Sequence, residues 1–164
     1  GNLKIQFARI LGAGPLFSLL FGGVFLFLFY YFDSAWNGFN GIVGLISIAL
    51  FFATTIPSKS GLFFTDRKRL QRLLNKGKVG EIELALLQAS FQMLLDQNAK
   101  NLEINKLQLI QTDTEPVVQF WGFFFEYAYY KDHQNTEKAT SLKNNLLNYQ
   151  TLIPKGIWKS FAID

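Results

Sequence analysis

The chain has 164 residues, 49% apolar and 17% charged, against about 25% charged in an average soluble chain. It has no cysteine and one histidine, His133, which excludes a disulfide framework, a thiolate metal site and a two-histidine metal site built from this chain alone. Residues 10–58 hold one charged side chain, Asp33, whereas residues 59–164 hold 25, a distribution that a single water-soluble globule does not fit.

The first predicted element covers residues 10–32, ILGAGPLFSLLFGGVFLFLFYYF, with no charge and no polar face. As a helix rising ~1.5 Å per residue it reaches ~34 Å, enough for a hydrocarbon core of ~30 Å. A secretory signal peptide has a shorter apolar region, of ~7–15 residues. The second span lies within residues 36–57 and is densest from Gly41 onward. Between the two, Asp33 to Gly38 reads as a tight turn, with Tyr30, Tyr31 and Trp36 at the depth where amphipathic rings favour a membrane interface. A helical hairpin satisfies its own backbone groups in lipid. Lys4 and Arg9 precede it, and Lys59, Arg67, Lys68, Arg69, Arg72, Lys76 and Lys78 follow it, so both ends are expected on the cytosolic side.

These nine flanking cations account for the basic balance. Residues 79–164 carry seven basic against ten acidic side chains, so no stripe for nucleic acid is expected. The predicted fold class is all-α: a membrane domain over residues 1–64, then a cytosolic helical tail over 65–164. In the tail, Thr65 is the expected N-cap of a basic helix over 67–75 with Leu70, Leu73 and Leu74 on one face and Gly77 as its stop. A helix over about 80–97 places Ile82, Leu86, Leu87, Met93 and Leu94 inward, and a shorter one covers 102–110. Pro116 suits the first turn of an aromatic helix over 117–131. That helix is expected to lie buried between neighbours; alternatively Trp121 and Phe124 line a groove for a partner helix. Asn135 or Thr136 caps a further helix to about Tyr149, and Pro154 introduces a short terminal piece ending WKSFAID. Antiparallel helix pairs are the simplest arrangement of these parts.

Small residues four apart, Gly14, Ser18 and Gly22 on the first span and Ala49 and Ala53 on the second, suit close helix packing in lipid. Glu81 and Glu83 point to different faces and form no carboxylate pair; Glu126 is expected to be paired or snorkelling, and His133 to sit in a solvated loop. No phosphate-binding glycine loop or serine nucleophile with a histidine base is present in the sequence.

One order of residues goes beyond packing. Ala13-Gly14-Pro15-Leu16-Phe17-Ser18 is followed by a hairpin, a proline at the span exit (Pro57), Ser60-Gly61, Thr65-Asp66 and a Leu-rich basic helix. This order resembles the site-2 protease family of intramembrane zinc metalloproteases, in particular its bacterial branch with a tetratricopeptide-like cytosolic helical tail. In that family an H-E-x-x-H helix gives two histidine ligands and a general base, and a later Asp-Gly supplies the third zinc ligand; metal-bound water then has a pKa near ~7. The resemblance implies that Gly14, Pro15 and Ser18 match the Gly-Pro element walling the site and that Asp66 matches the third ligand, with Arg67 standing where the family has glycine. H-E-x-x-H does not occur here, so the chain is expected to be a C-terminal portion whose upstream catalytic helices hold the other ligands. Zinc is then expected in the intact protein but not on this chain alone, which is not expected to hydrolyse anything. The partners implied are the lipid bilayer, those upstream helices and a membrane-protein substrate, and the location a multi-pass inner-membrane one with a cytosolic tail. The alternative is a non-catalytic membrane-anchored adaptor.

Overall fold

The computed structural model describes residues 2–33, 35–56, 59–60 and 63–161. Among them the elements are α1 (Asn2–Tyr31), α2 (Asn37–Thr55), β1 (Lys59–Ser60), β2 (Phe63–Phe64), α3 (Asp66–Leu74), α4 (Lys78–Asp96), α5 (Ile104–Gln111), α6 (Pro116–Asp132), α7 (Thr136–Leu147), a 3-10 turn at Gln150–Leu152 and α8 (Lys155–Ser160). Apart from the pairing of β1 with β2, the architecture is helical, as expected. Ser34 of the expected turn, Pro57, Ser58 and Gly61 of the span exit, and Ala162, Ile163 and Asp164 at the end lie outside the described residues. The chain divides into two compact units, Gly1–Ser60 with Phe64–Leu74, and Gly61–Phe63 with Asn75–Asp164.

In the first unit α1 and α2 are long and apolar enough to cross a membrane, with 6% of either span buried. The first helix begins at Asn2 rather than near residue 10, because residues 2–9 contain no breaker, and it runs through Pro15 rather than opening there. A proline deletes one ladder hydrogen bond, a defect that a helix of this length in an apolar setting carries. The second helix stops at Thr55; Ile56, which precedes Pro57, is already extended at φ −68° and ψ 118°. At the turn, Asn37 donates its side-chain amide to the carbonyls of Phe29 and Phe32 at 2.9 and 3.1 Å, satisfying two groups left open by the end of α1.

The two helices cross on glycine. A Cβ on Gly44 would sit 2.8 Å from the Leu26 side chain and 3.0 Å from its backbone nitrogen; one on Gly22 would sit 2.9 Å from Ile48, and one on Gly41 3.0 Å from Phe29. The second helix therefore packs through Gly41, Gly44 and the buried Ser47, whereas Ala49 and Ala53 of the expected small-residue face point outward. The pairs 22/48, 26/44 and 29/41 run in opposite directions, so the helices are antiparallel, and the same register brings Thr55 level with Pro15. Residues 2–14 thus extend past the end of α2, an overhang of ~20 Å. The basic helix α3 packs on this overhang, with Leu70 and Leu74 beside Ile5 and Ala8. By its contacts α3 groups with the hairpin in the unit that runs to Leu74, while the Leu74 side chain stays more than half exposed.

In the second unit α4 packs on α5, α5 on α6 and α6 on α7. Gly77 is not a stop for the preceding helix but the N-cap position of α4. Ile82, Leu86 and Leu87 are buried as expected, while Leu94 is 75% exposed. Phe91, Leu94 and Leu95, on the last turns of α4, are exposed. Pro116 opens α6 at its first position, and the Asn135 side chain caps α7 by accepting from the Lys138 amide.

Candidate functional site

Asp66 is the first residue of α3, half-buried, with a carboxylate placed where a helix N-terminus favours negative charge. The turn is closed by the Arg69 amide, which donates to the Thr65 carbonyl at 3.0 Å. Behind Asp66, Lys68 and Arg72 lie over the Phe64 ring, 4.4 and 5.2 Å from its centroid, so Phe64 is held in a cationic clasp. Gly14 has no atom within 4 Å of where a Cβ would lie, and Pro15 and Ser18 are half-buried. Of the small residues on α1, Gly22 is consumed by the crossing with α2, while Gly14 keeps an open face.

The second unit is built around Phe120. It is fully buried, and its ring meets Trp121, Phe124, Tyr149, Trp158 and Phe161 at centroid distances between 5.4 and 6.4 Å. Trp121 and Phe124 also touch Phe161 at 5.7 and 4.8 Å. The aromatic helix therefore lies between neighbours, and Trp121 and Phe124, the two residues weighed as lining a partner groove, are half-buried against its aromatic cluster. The 3-10 turn and α8 bring Tyr149, Trp158 and Phe161 onto it, a closure that the terminal fragment did not signal in the sequence.

Polar groups in this unit are matched. Glu126 is buried and accepts from the Gln111 side-chain amide, so its expected pairing is found across the α5–α6 contact. Those helices approach closely because position 122 is glycine: a Cβ there would fall 2.9 Å from the Gln111 nitrogen. The buried Asp113 accepts from the Glu115 amide at 2.8 Å, its carbonyl accepts from Gln119 at 2.6 Å, and Tyr149 donates to Gln119 at 2.9 Å. Burial pushes the Tyr149 hydroxyl above its ordinary value of 10.0, so it stays a donor. Asp132 accepts from the Ala99 amide at 2.7 Å and ties the α4–α5 loop to the end of α6. Sequence reasoning missed this network. The one usable signal was Gly122, a glycine inside an otherwise unbroken aromatic helix, which marks a close approach.

Glu81 is exposed and Glu83 buried, on different faces of α4 as read. His133 ends α6 on the surface, its ring stacked on Tyr129 at 4.1 Å and its Nδ1 2.9 Å from the Tyr129 carbonyl. Among the described residues no three histidine, cysteine, aspartate or glutamate side chains gather where they could hold a metal ion. Zinc needs at least three protein ligands, so the described residues do not by themselves complete a zinc site. Comparison with protein-family models, with curated proteins and with solved structures returns no match.

Proposed function

We propose that the chain is the C-terminal portion of a site-2-protease-like intramembrane zinc peptidase. In this reading α1 and α2 form a hairpin in the inner membrane of a bacterial cell, the helical tail lies in the cytosol, and the upstream helices of the same protein supply the histidine ligands. Asp66 contributes one carboxylate ligand, and Gly14, Pro15 and Ser18 offer the wall against which those helices seat. A membrane protein is the substrate class. The observation that carries the reading is the compact first unit. There the Gly14-Pro15 element and the helix opened by Asp66 are held together, and Gly14 is left with room for another helix.

The test is zinc content and peptide-bond cleavage by the full-length native polypeptide, with Asp66→Ala beside it. Loss of both in the variant is expected; unchanged zinc binding removes Asp66 from the ligand set. A second reading, a membrane-anchored adaptor, is favoured by a different observation: Phe91, Leu94 and Leu95 form an exposed apolar face at the end of α4. Absence of zinc and of cleavage in the full-length wild-type polypeptide, with partner binding that is lost in Leu94→Asp, would favour the adaptor.

A further inference from the structure

Pro15 leaves a backbone acceptor open inside α1. It has no N–H to give the Leu11 carbonyl four residues back, and its ring lies against that carbonyl, so the open acceptor shares the Pro15 face of the helix. Leu11, Pro15 and Ser18 are all half-buried. Spaced four and three apart, they continue the seam that meets α2 at the buried Gly22.

The facing end of α2 holds the complementary defect. The Thr55 hydroxyl is shut off from solvent and makes no hydrogen bond among the described residues. A threonine in a helix ordinarily donates to the carbonyl four residues back, which here belongs to Phe51. That carbonyl already accepts from the Thr54 hydroxyl at 3.2 Å and, in the ladder of α2, from the Thr55 amide, so both its lone pairs are taken. The pairs 22/48, 26/44 and 29/41 set a register in which Thr55 is level with Pro15. A donor without an acceptor and an acceptor without a donor thus lie at one height of one seam. Ser18, one turn along α1, leans back toward that height, because helical Cβ atoms tilt toward the N-terminus.

We propose that the α1–α2 seam binds one water molecule between Pro15 and Thr55. The water accepts from the Thr55 hydroxyl and donates one hydrogen to the Leu11 carbonyl and the other to the Ser18 oxygen. A buried water is held by two to four such partners, and a water bridges polar groups that face each other without touching. Glycine contacts fasten the middle of the hairpin; the water fastens its open end, where α1 runs on past α2. The inference rests on the α1–α2 crossing, not on peptidase activity.

The experiment uses the full chain in lipid vesicles, labelled with carbonyl-13C leucine and 15N glycine. Leu11-Gly12 is the one Leu-Gly peptide in the sequence, so a 13C–15N filter isolates the Leu11 carbonyl. Transfer of magnetisation from water to that carbon, read by solid-state NMR, is expected in the wild type and in Thr55→Ser and is lost in Thr55→Val. Hairpin stability is read from spin-label separation during a titration with SDS, in a cycle with Pro15→Ala, which restores the missing N–H. Thr55→Val should lower the folding constant about three-fold in the wild type, the average worth of an interhelical hydrogen bond in a membrane, and leave it unchanged in the Pro15→Ala background. A neutral or stabilising Thr55→Val overturns the site, because removing an unbonded buried hydroxyl costs nothing. An equal loss in both backgrounds also overturns it, since the Leu11 carbonyl is then not the partner. Coupling without transfer from water replaces the water with a direct bond and overturns the water site.

Discussion

The two units of the chain use the same amino acid in opposite ways. Phe17 on α1 is 66% exposed, and Phe120 on α6 is 0% exposed. The first unit turns many of its large side chains outward and packs its helices at glycines; the second turns its rings inward and buries Glu83, Asp113 and Glu126 among them. In water the hydrophobic effect drives large rings together, whereas among lipid tails no such force exists and close backbone contact decides packing. Both regions are helical and rich in phenylalanine, and they differ in where those rings point.

The largest expected effect tests the buried end of the contrast. Phe120→Ala should cost about 3–5 kcal/mol of second-unit stability, read by chemical unfolding of the full chain in detergent through Trp121 and Trp158 fluorescence. Phe17→Ala measured alongside should shift that transition by less than about 0.5 kcal/mol. A similar loss at both positions would break the contrast. Next, Gly44→Val drives a side chain into Leu26 and should destabilise the α1–α2 pair by about 1–3 kcal/mol, seen as a wider separation of spin labels across it, while Gly14→Val leaves the separation unchanged.

Two smaller effects sharpen the second unit alone. Asn135→Ala removes the α7 cap and should cost about 1 kcal/mol in the same unfolding measurement. Hydrogen bonds from Gln92 and Asn101 hold the Asp96 carboxyl below its ordinary 3.8. A depressed carboxylate contributes stability that is fully present above its unfolded value and is lost as the pH falls through its folded one. Asp96→Asn should therefore lower the stability slightly at neutral pH and flatten part of the loss below pH 3.8, so that the two proteins converge in acid, checked by denaturant midpoints from neutral pH down through that range.

Much of the helical plan was legible because its signals are local. Pro116 at a first turn, Asn135 at a cap and the Leu70/Leu73/Leu74 stripe all act within a few residues. What escaped depends on partners distant in sequence. Leu94 has the spacing of a core residue but is 75% exposed, because burial there depends on which distant helix packs against α4. Ala49 and Ala53 fit a small-residue face as well as Gly41 and Gly44 do, and the choice was set by the register with α1. The Gln111–Glu126 pair spans two helices and leaves no local trace. For the candidate site, Asp66 could be placed at a helix start from sequence. The packing of Leu70 and Leu74 beside Ile5 and Ala8 could not, because it requires knowing that α1 starts early enough for α3 to lie on it.

The sealing of Phe120 by Trp158 and Phe161 sets an order of events during synthesis. Domains assemble from the N-terminus as the ribosome delivers them, and the α1–α2 crossing needs nothing made after Thr55. The ring cluster, by contrast, stays an open shell until α8 has left the exit tunnel. In that interval the nascent tail is the part of the chain that a chaperone or a protease would meet.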